Sequence, residues 1–315
     1  MNKNLAILGL FILSFIYSCE TDNSPQEPEV IPEIENLEII DPNFKHALLN
    51  TNCVDSNDDG IGDRNIDLND DGEIQKMEAE SAKSIILKFN YEEIVTSVDL
   101  RGIENFINIE KLEITRGESG YIENTNENEI SYDLISLIKL THLKIKYLET
   151  NYIEKINLSG LNNLIETDLS ENNASYFVQP DELAYPKDYV EFNFEGCNKM
   201  MDLKLRNSFL IIDFCQIPSL KRLDMSYLEG GEPEVFDFHC LKILEWLDIS
   251  ENYIETLILK NESVLNTLLV NDIGTVRDAN YPFVDYICID DIQEEHNQIS
   301  GIIDENTEIT FDCSF

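Results

Sequence analysis

The chain of 315 residues carries 62 acidic against 22 basic side chains, a formal net charge of −40. A surface of that sign repels nucleic-acid phosphates and anionic lipid headgroups, which proteins neutralise with clustered Lys and Arg; a nucleic-acid partner is therefore excluded and cations are favoured. None of the seven cysteines stands in a CxxC pair, so zinc and dithiol-redox chemistry have no sequence motif.

Residues 1–18 join a basic start at Lys3 to an apolar run, Leu5 to Tyr17, and a small residue, Ser18, just ahead of Cys19. The run is 13 residues long, short of the roughly 20 that cross a bilayer as a helix. It predicts a signal peptide over 1–18, with Cys19 as the lipid-bearing first residue after processing. The Ile16-Tyr17-Ser18-Cys19 box resembles the looser lipobox of Bacteroidota lipoproteins. That resemblance implies the outer membrane, and the acidic Glu20-Thr21-Asp22 implies the cell surface. Residues 19–37, mixing Pro, Glu, Asn and Ser, are expected to form a flexible acidic tether.

A small N-terminal cap is expected over 38–92. Asp41 is placed to cap a helix, Pro42 to occupy its first position, and Phe44, Ala47 and Leu48 recur at helical spacing. An acidic stretch follows, and a second helix is predicted over about Ile74 to Phe89.

Residues 67–78, DLNDDGEIQKME, fill every key position of a twelve-residue EF-hand loop. Calcium wants six to eight oxygens. The side chains of Asp67, Asn69 and Asp71, the carbonyl of Glu73, a water held near Gln75 and both oxygens of Glu78 would supply them. Gly72 permits the sharp turn, and Ile74 ties the loop to the core. Twelve residues earlier the opening repeats as Asp55, Asn57, Asp59 and Gly60, with Asp63 at position nine but Ile66 at position twelve. This segment is similar to thrombospondin type 3 calcium repeats. A second calcium on Asp55, Asn57, Asp59, the Ile61 carbonyl and Asp63, and a bare acidic turn, are both open readings. The expected role of the ion is structural, because crowded carboxylates repel until a cation neutralises them.

From about residue 96 short apolar pairs recur: VDL at 98, LEI at 112, LKI at 143, INL at 156, TDL at 167, FNF at 192 and LKL at 203. They continue as IDF at 212, LDM at 223, FDF at 236, LDI at 247, LIL at 257 and LLV at 268. Two such half-turns make a coil of roughly 21 to 24 residues, with Asn and Ser following several strands. The alternative is an ordinary globular domain with alternating strands. A solenoid needs caps at both ends, which places the array over 93–284 and a C-terminal cap over 285–315.

The helical DPNFKHALL unit, NDDGEIQKMEA, GIENFINIEKLEI, the LxxLDxSxN coils and the YICID to ITFDC end together look like the leucine-rich-repeat lipoproteins of Flavobacteria. The resemblance covers nearly the whole chain. It implies an α/β solenoid: a right-handed leucine-rich-repeat coil of short parallel strands between a helical, calcium-binding cap and a C-terminal cap.

A bridge between Cys288 and Cys313 would close the C-terminal cap. Cys197, Cys215 and Cys240 lie just beyond strand positions and are expected to fill the core as small apolar side chains; Cys53 is undecided. His46, His142, His239 and His296 match no catalytic family context. The scattered aromatics, Trp246 and Tyr227 among them, are expected to serve packing more than a binding platform.

The leading function is therefore a surface-displayed interaction module for a protein or glycan ligand, not an enzyme. The alternative is a glycan-processing or accessory hydrolase using paired carboxylates. Dockerin-like docking needs two loop-helix units, and only the second loop has its helix.

Overall fold

A computed structural model describes residues 35–89, 98–116, 130–146, 153–172, 190–208, 210–228, 234–273 and 284–313. The signal peptide, Cys19 and the tether up to residue 34 lie outside them. No helix among the described residues is long and apolar enough to cross a membrane.

Helix α1 (Pro42–Asn50) starts where the sequence places it. The Asp41 carboxylate accepts the Asn43 and Phe44 amides at 2.8 and 3.0 Å, satisfying donors that a helix start leaves orphaned. Phe44, Ala47 and Leu48 are buried. The second helix is shorter than expected. α2 covers Lys76–Ser81 only, and Ser84–Phe89 is strand β1 rather than helix. The run Ile85, Ile86, Leu87 has no helical polar face. It is buried, as an interior parallel strand requires.

β1 begins a parallel eight-stranded sheet. It continues through β2 (Lys111–Arg116), β4 (His142–Ile145), β6 (Glu166–Asp168), β8 (Asp202–Lys204), β10 (Arg222–Asp224), β12 (Trp246–Asp248) and β14 (Thr267–Leu269). The intervening strands pair with one another instead. β3 (Ile130–Asp133), β5 (Ile153–Asn157), β7 (Val190–Asn193) and β9 (Leu210–Ile211) form one four-stranded sheet. β11 (Glu234–Asp237), β13 (Ile254–Ile258), β15 (Tyr286–Cys288) and β16 (Glu308–Thr310) form another. Most of the half-turns seen in sequence are thus strands, although Val98–Leu100 and Ile212–Phe214 are not, and each coil from β2–β3 to β14–β15 contributes one strand to each side of a leucine-rich-repeat solenoid.

Register explains the LxL pattern. Ile85, Leu112, Leu143, Thr167, Leu203, Leu223, Leu247 and Leu268 lie on successive rungs in one column, and all but Leu268 are buried. Opposite them stand Tyr132, Ile156, Phe192, Phe236, Leu257 and Ile287. Each fully buried Leu or Ile stabilises by about 1.5–3 kcal/mol relative to exposure. No coil closes this core alone, so the stack is the folding unit.

Asn and Ser after the strands satisfy the corners. Asn172 Nδ2 donates to the carbonyls of Ile145 and Leu169, both at 2.7 Å, and Asn252 Nδ2 donates to those of Met225 and Ile249 at 2.7 and 2.9 Å. Each buried amide ties its own coil to the preceding one.

At the C-terminal end α3 (Gln293–Ile299) lies between β15 and β16, and Cys288 is bridged to Cys313. Core filling holds for Cys197, which is buried and free. It fails for Cys215 and Cys240: they form a disulfide, because their corner positions point out of the apolar column.

Candidate functional site

The two acidic loops adopt one conformation twice. Asp70 and Gly72 have φ of 58° and 80°, and Asp58 and Gly60, twelve residues earlier, have 63° and 83°. Only glycine takes the second of these positions freely. In the later loop the amides of Asp71 and Gly72 donate to Asp67 at 3.3 and 2.8 Å, Asp71 N also meets Asn69 Oδ1 at 3.0 Å, and Glu73 N meets Asp71 Oδ1 at 2.9 Å. The earlier loop matches it: Asp59 and Gly60 amides to Asp55 at 3.2 and 2.9 Å, Asp59 N to Asn57 at 3.0 Å, Ile61 N to Asp59 at 2.9 Å.

The loops differ in how they close. Glu78, in the first turn of α2, accepts the Leu68 and Gln75 amides at 2.7 and 2.9 Å. The earlier loop has buried Ile66 at the equivalent position. There Asp63 accepts the Ser56 amide and hydroxyl at 3.1 and 2.8 Å. Asp63 therefore performs from position nine the closure that Glu78 performs from position twelve. Sequence spacing alone did not settle this equivalence; the pairing with Ser56 does.

Ile74 is fully buried, and its carbonyl accepts the Leu37 amide at 2.7 Å, while Lys76 N meets the Glu35 carbonyl at 3.0 Å. Residues 35–37, read from sequence as the end of a mobile tether, are thus bonded to the loop. On the other side Lys45 pairs with Glu73 at 2.8 Å, and Lys111 of β2 pairs with Asp58 of the first loop. The loops join the cap to the first coils.

Asp67 and Glu78 are buried, 8% and 1% exposed, and neither is ion-paired with a basic side chain among the described residues. Buried charge is costly unless compensated. For Asp55, burial pushes the carboxyl up, but the Gly60 and Asp59 amides outweigh it and hold it below the usual range. The Glu73 amide and the Gln75 side chain hold Asp71 low as well. A set of carboxylates, one amide oxygen and backbone carbonyls, without sulfur or imidazole, fits a hard, multi-oxygen cation such as calcium.

The outer face of the eight-stranded sheet adjoins the first loop. A groove of about 210 Å³ there is lined by Asp55 and Gly60 together with Lys111, His142, Lys144 and Glu166. Opposite charges alternate along the face: Lys144 meets Glu113 at 3.0 Å, Lys204 meets Glu166 at 2.5 Å, and Lys146 meets Asp168 at 3.0 Å. On a chain of net charge −40 this is a nearly balanced stripe. Farther along, the Arg222 guanidinium lies 3.3 Å from the Trp246 ring centroid on the next rung. Sequence reading missed this pair, because the outward register of both residues becomes visible only when the coils are stacked.

A second cluster also escaped the sequence reading. His239 lies with Cys215 and Cys240 at a corner beside the second side of the solenoid. Aligning the corner Asp213-Phe214-Cys215 with Asp237-Phe238-His239-Cys240 would have found it.

No family model matches the sequence, and no curated protein matches it. Among solved structures it is similar to an internalin, InlF, from Listeria monocytogenes, at 15% identity over 86% of this chain and 90% of that one, with a TM-score of 0.23. It is also similar to the functional domain of InlJ from the same organism, described as including a cysteine ladder, at 15% identity over 72% of this chain and 63% of that one, again with a TM-score of 0.23. At those TM-scores neither likeness adds to the fold assignment, which rests on the strand order and register described above.

Proposed function

We propose that this chain is a leucine-rich-repeat interaction module whose N-terminal cap is ordered by calcium and whose outer eight-stranded face binds a protein or glycan. Solenoids recognise ligands through extended preformed surfaces. The observation that carries the reading is the Arg222–Trp246 stack within the charge-balanced stripe. Trp and Arg dominate binding hot spots, and the stacked guanidinium is held in place before any ligand arrives.

Calcium would be held by Asp67, Asn69, Asp71, the Glu73 carbonyl and Glu78, with Gln75 near a water. A second ion would be held by Asp55, Asn57, Asp59, the Ile61 carbonyl and Asp63. The bound ion supplies charge neutralisation, and the protein groups order the joint between cap and coils. Attachment through a lipid at Cys19 and display on the outer membrane are supported by the pattern of residues 1–22.

The test is binding of the soluble chain from Glu20 onward to arrayed glycans and to surface-protein extracts, in calcium and in chelator, beside Trp246→Ala and Arg222→Glu. Binding that needs calcium and is lost in both variants at unchanged melting temperature supports the reading. Binding untouched by either substitution places the ligand elsewhere and overturns it.

A further inference from the structure

The eight-stranded sheet is continuous, but among the described residues the opposite side is not: β9 and β11 belong to separate sheets. The Cys215–Cys240 disulfide joins the corners that follow these two strands, so it crosses the break. Beneath it Phe214 and Phe238 pack at 5.7 Å between centroids. Cys215 is exposed and Cys240 is half-buried.

His239 stands beside both sulfurs. Its Nε2 lies 3.1 Å from Cys240 Sγ and 3.9 Å from Cys215 Sγ. On the other side of the ring, Nδ1 lies 2.8 Å from Asp237 Oδ1, which also accepts the His239 amide at 3.0 Å. The carboxylate fixes the tautomer with its proton on Nδ1 and leaves the Nε2 lone pair toward the disulfide. Such a carboxylate–imidazole–sulfur line is an arrangement for moving a proton to or from sulfur. The other bridge differs, because Cys288 is fully buried. Among the described residues the free thiols, Cys53 and Cys197, are buried as well.

We propose that Cys215–Cys240 is a thiol-exchange site, opened by an external thiol with His239 as the general base. The incoming thiol gives its proton to Nε2, and its sulfur attacks the exposed Cys215 Sγ. A bond forms between the external sulfur and Cys215 as the Cys215–Cys240 bond breaks. The electron pair of the broken bond leaves on Cys240 Sγ, which takes the proton back from Nε2. Asp237 stabilises the transient imidazolium. The product is a mixed disulfide at Cys215 and a thiol at Cys240. With a dithiol reagent, the second thiol attacks the mixed disulfide and releases Cys215 as a thiol, so that the reagent is oxidised by two electrons and the bridge is reduced. The module can thus take a thiol-bearing molecule covalently, at the point where strand pairing on its second side is interrupted among the described residues.

The experiment treats the whole soluble chain with reduced glutathione or dithiothreitol, quenches by alkylation, and follows each cysteine by peptide mass mapping. Cys288–Cys313 in the same molecule is the internal control. The expected result is opening of Cys215–Cys240 about tenfold or more faster than the control, with the glutathione adduct on Cys215. His239→Gln slows this bridge alone, and Asp237→Asn slows it in the same direction, giving a second variant should the first fail to fold. Equal rates at the two bridges, an adduct on Cys240, or unaltered opening in folded His239→Gln and Asp237→Asn overturn the proposal.

Discussion

Asp63 and Glu78 do the same work in successive loops: Asp63 accepts the Ser56 amide at 3.1 Å, as Glu78 accepts the Leu68 amide at 2.7 Å. Each carboxylate locks its loop onto the residue after the leading aspartate. Each also adds negative charge to a crowded site.

This dual role predicts a change of sign for Asp63→Asn. In chelator the substitution relieves repulsion and leaves the melting temperature equal to or above that of the parent. In millimolar calcium it lowers the melting temperature relative to the parent, because a ligand has been lost. Differential scanning calorimetry in the two buffers checks this. A variant less stable than the parent by the same amount in both would make Asp63 a purely structural residue.

Thr167 interrupts the inward Leu column, and its hydroxyl is buried without a partner. Thr167→Val keeps the shape and removes an unsatisfied polar group, which costs about 1–3 kcal/mol when buried. The expected outcome is a gain of about 1 kcal/mol in urea unfolding. Unchanged or reduced stability would mean that the hydroxyl finds a partner in solution.

Asn252 makes the opposite case. Asn252→Ala would leave the Met225 and Ile249 carbonyls without the amide that now joins them. A loss of about 1–3 kcal/mol is expected, with hydrogen exchange rising first in the coils around β10 and β12. Uniform exchange along the chain would contradict a local tie.

The inward columns and these amides are where the sequence was legible, because period-two alternation and a buried amide after a strand have few other uses. LEI and LKI fall within β2 and β4, and LKL, LDM and LDI begin on β8, β10 and β12 and end one residue beyond them. Ser84–Phe89 was not legible. A short run apolar on both faces reads equally as buried helix or buried strand, and pairing with β2 decides it. The loop ligands were legible one by one from spacing, whereas the closure by Asp63 depends on a hydrogen bond that spacing does not encode. The Cys215, His239 and Cys240 cluster depends on two coils being brought into register, which no single segment reveals.

Glu295 in α3 is 2% exposed; its Oε2 accepts the Asp290 amide at 2.7 Å and its Oε1 has no partner. Burial pushes its carboxyl up to about 7, from 4.5. The folded state therefore binds this proton more tightly than the unfolded chain does. Its contribution to stability is full below pH 4.5 and is lost as pH rises through about 7. Glu295→Gln keeps the acceptor without the charge. The variant should match the parent in acid and exceed it in melting temperature at pH above about 7. A difference independent of pH would show that the carboxylate is not what destabilises the cap.

The most direct test of the calcium-ordered cap is calorimetric titration of the soluble chain from Glu20 onward, beside Asp63→Asn and Glu78→Gln. A calcium-ordered cap predicts saturable binding of one ion per loop, with dissociation constants of about 0.1–1 mM as in extracellular modules, a rise in melting temperature, and loss of one loop's ion in each variant. Absence of saturable heat, with an unchanged melting temperature at millimolar calcium, would contradict it and reduce both loops to acidic turns.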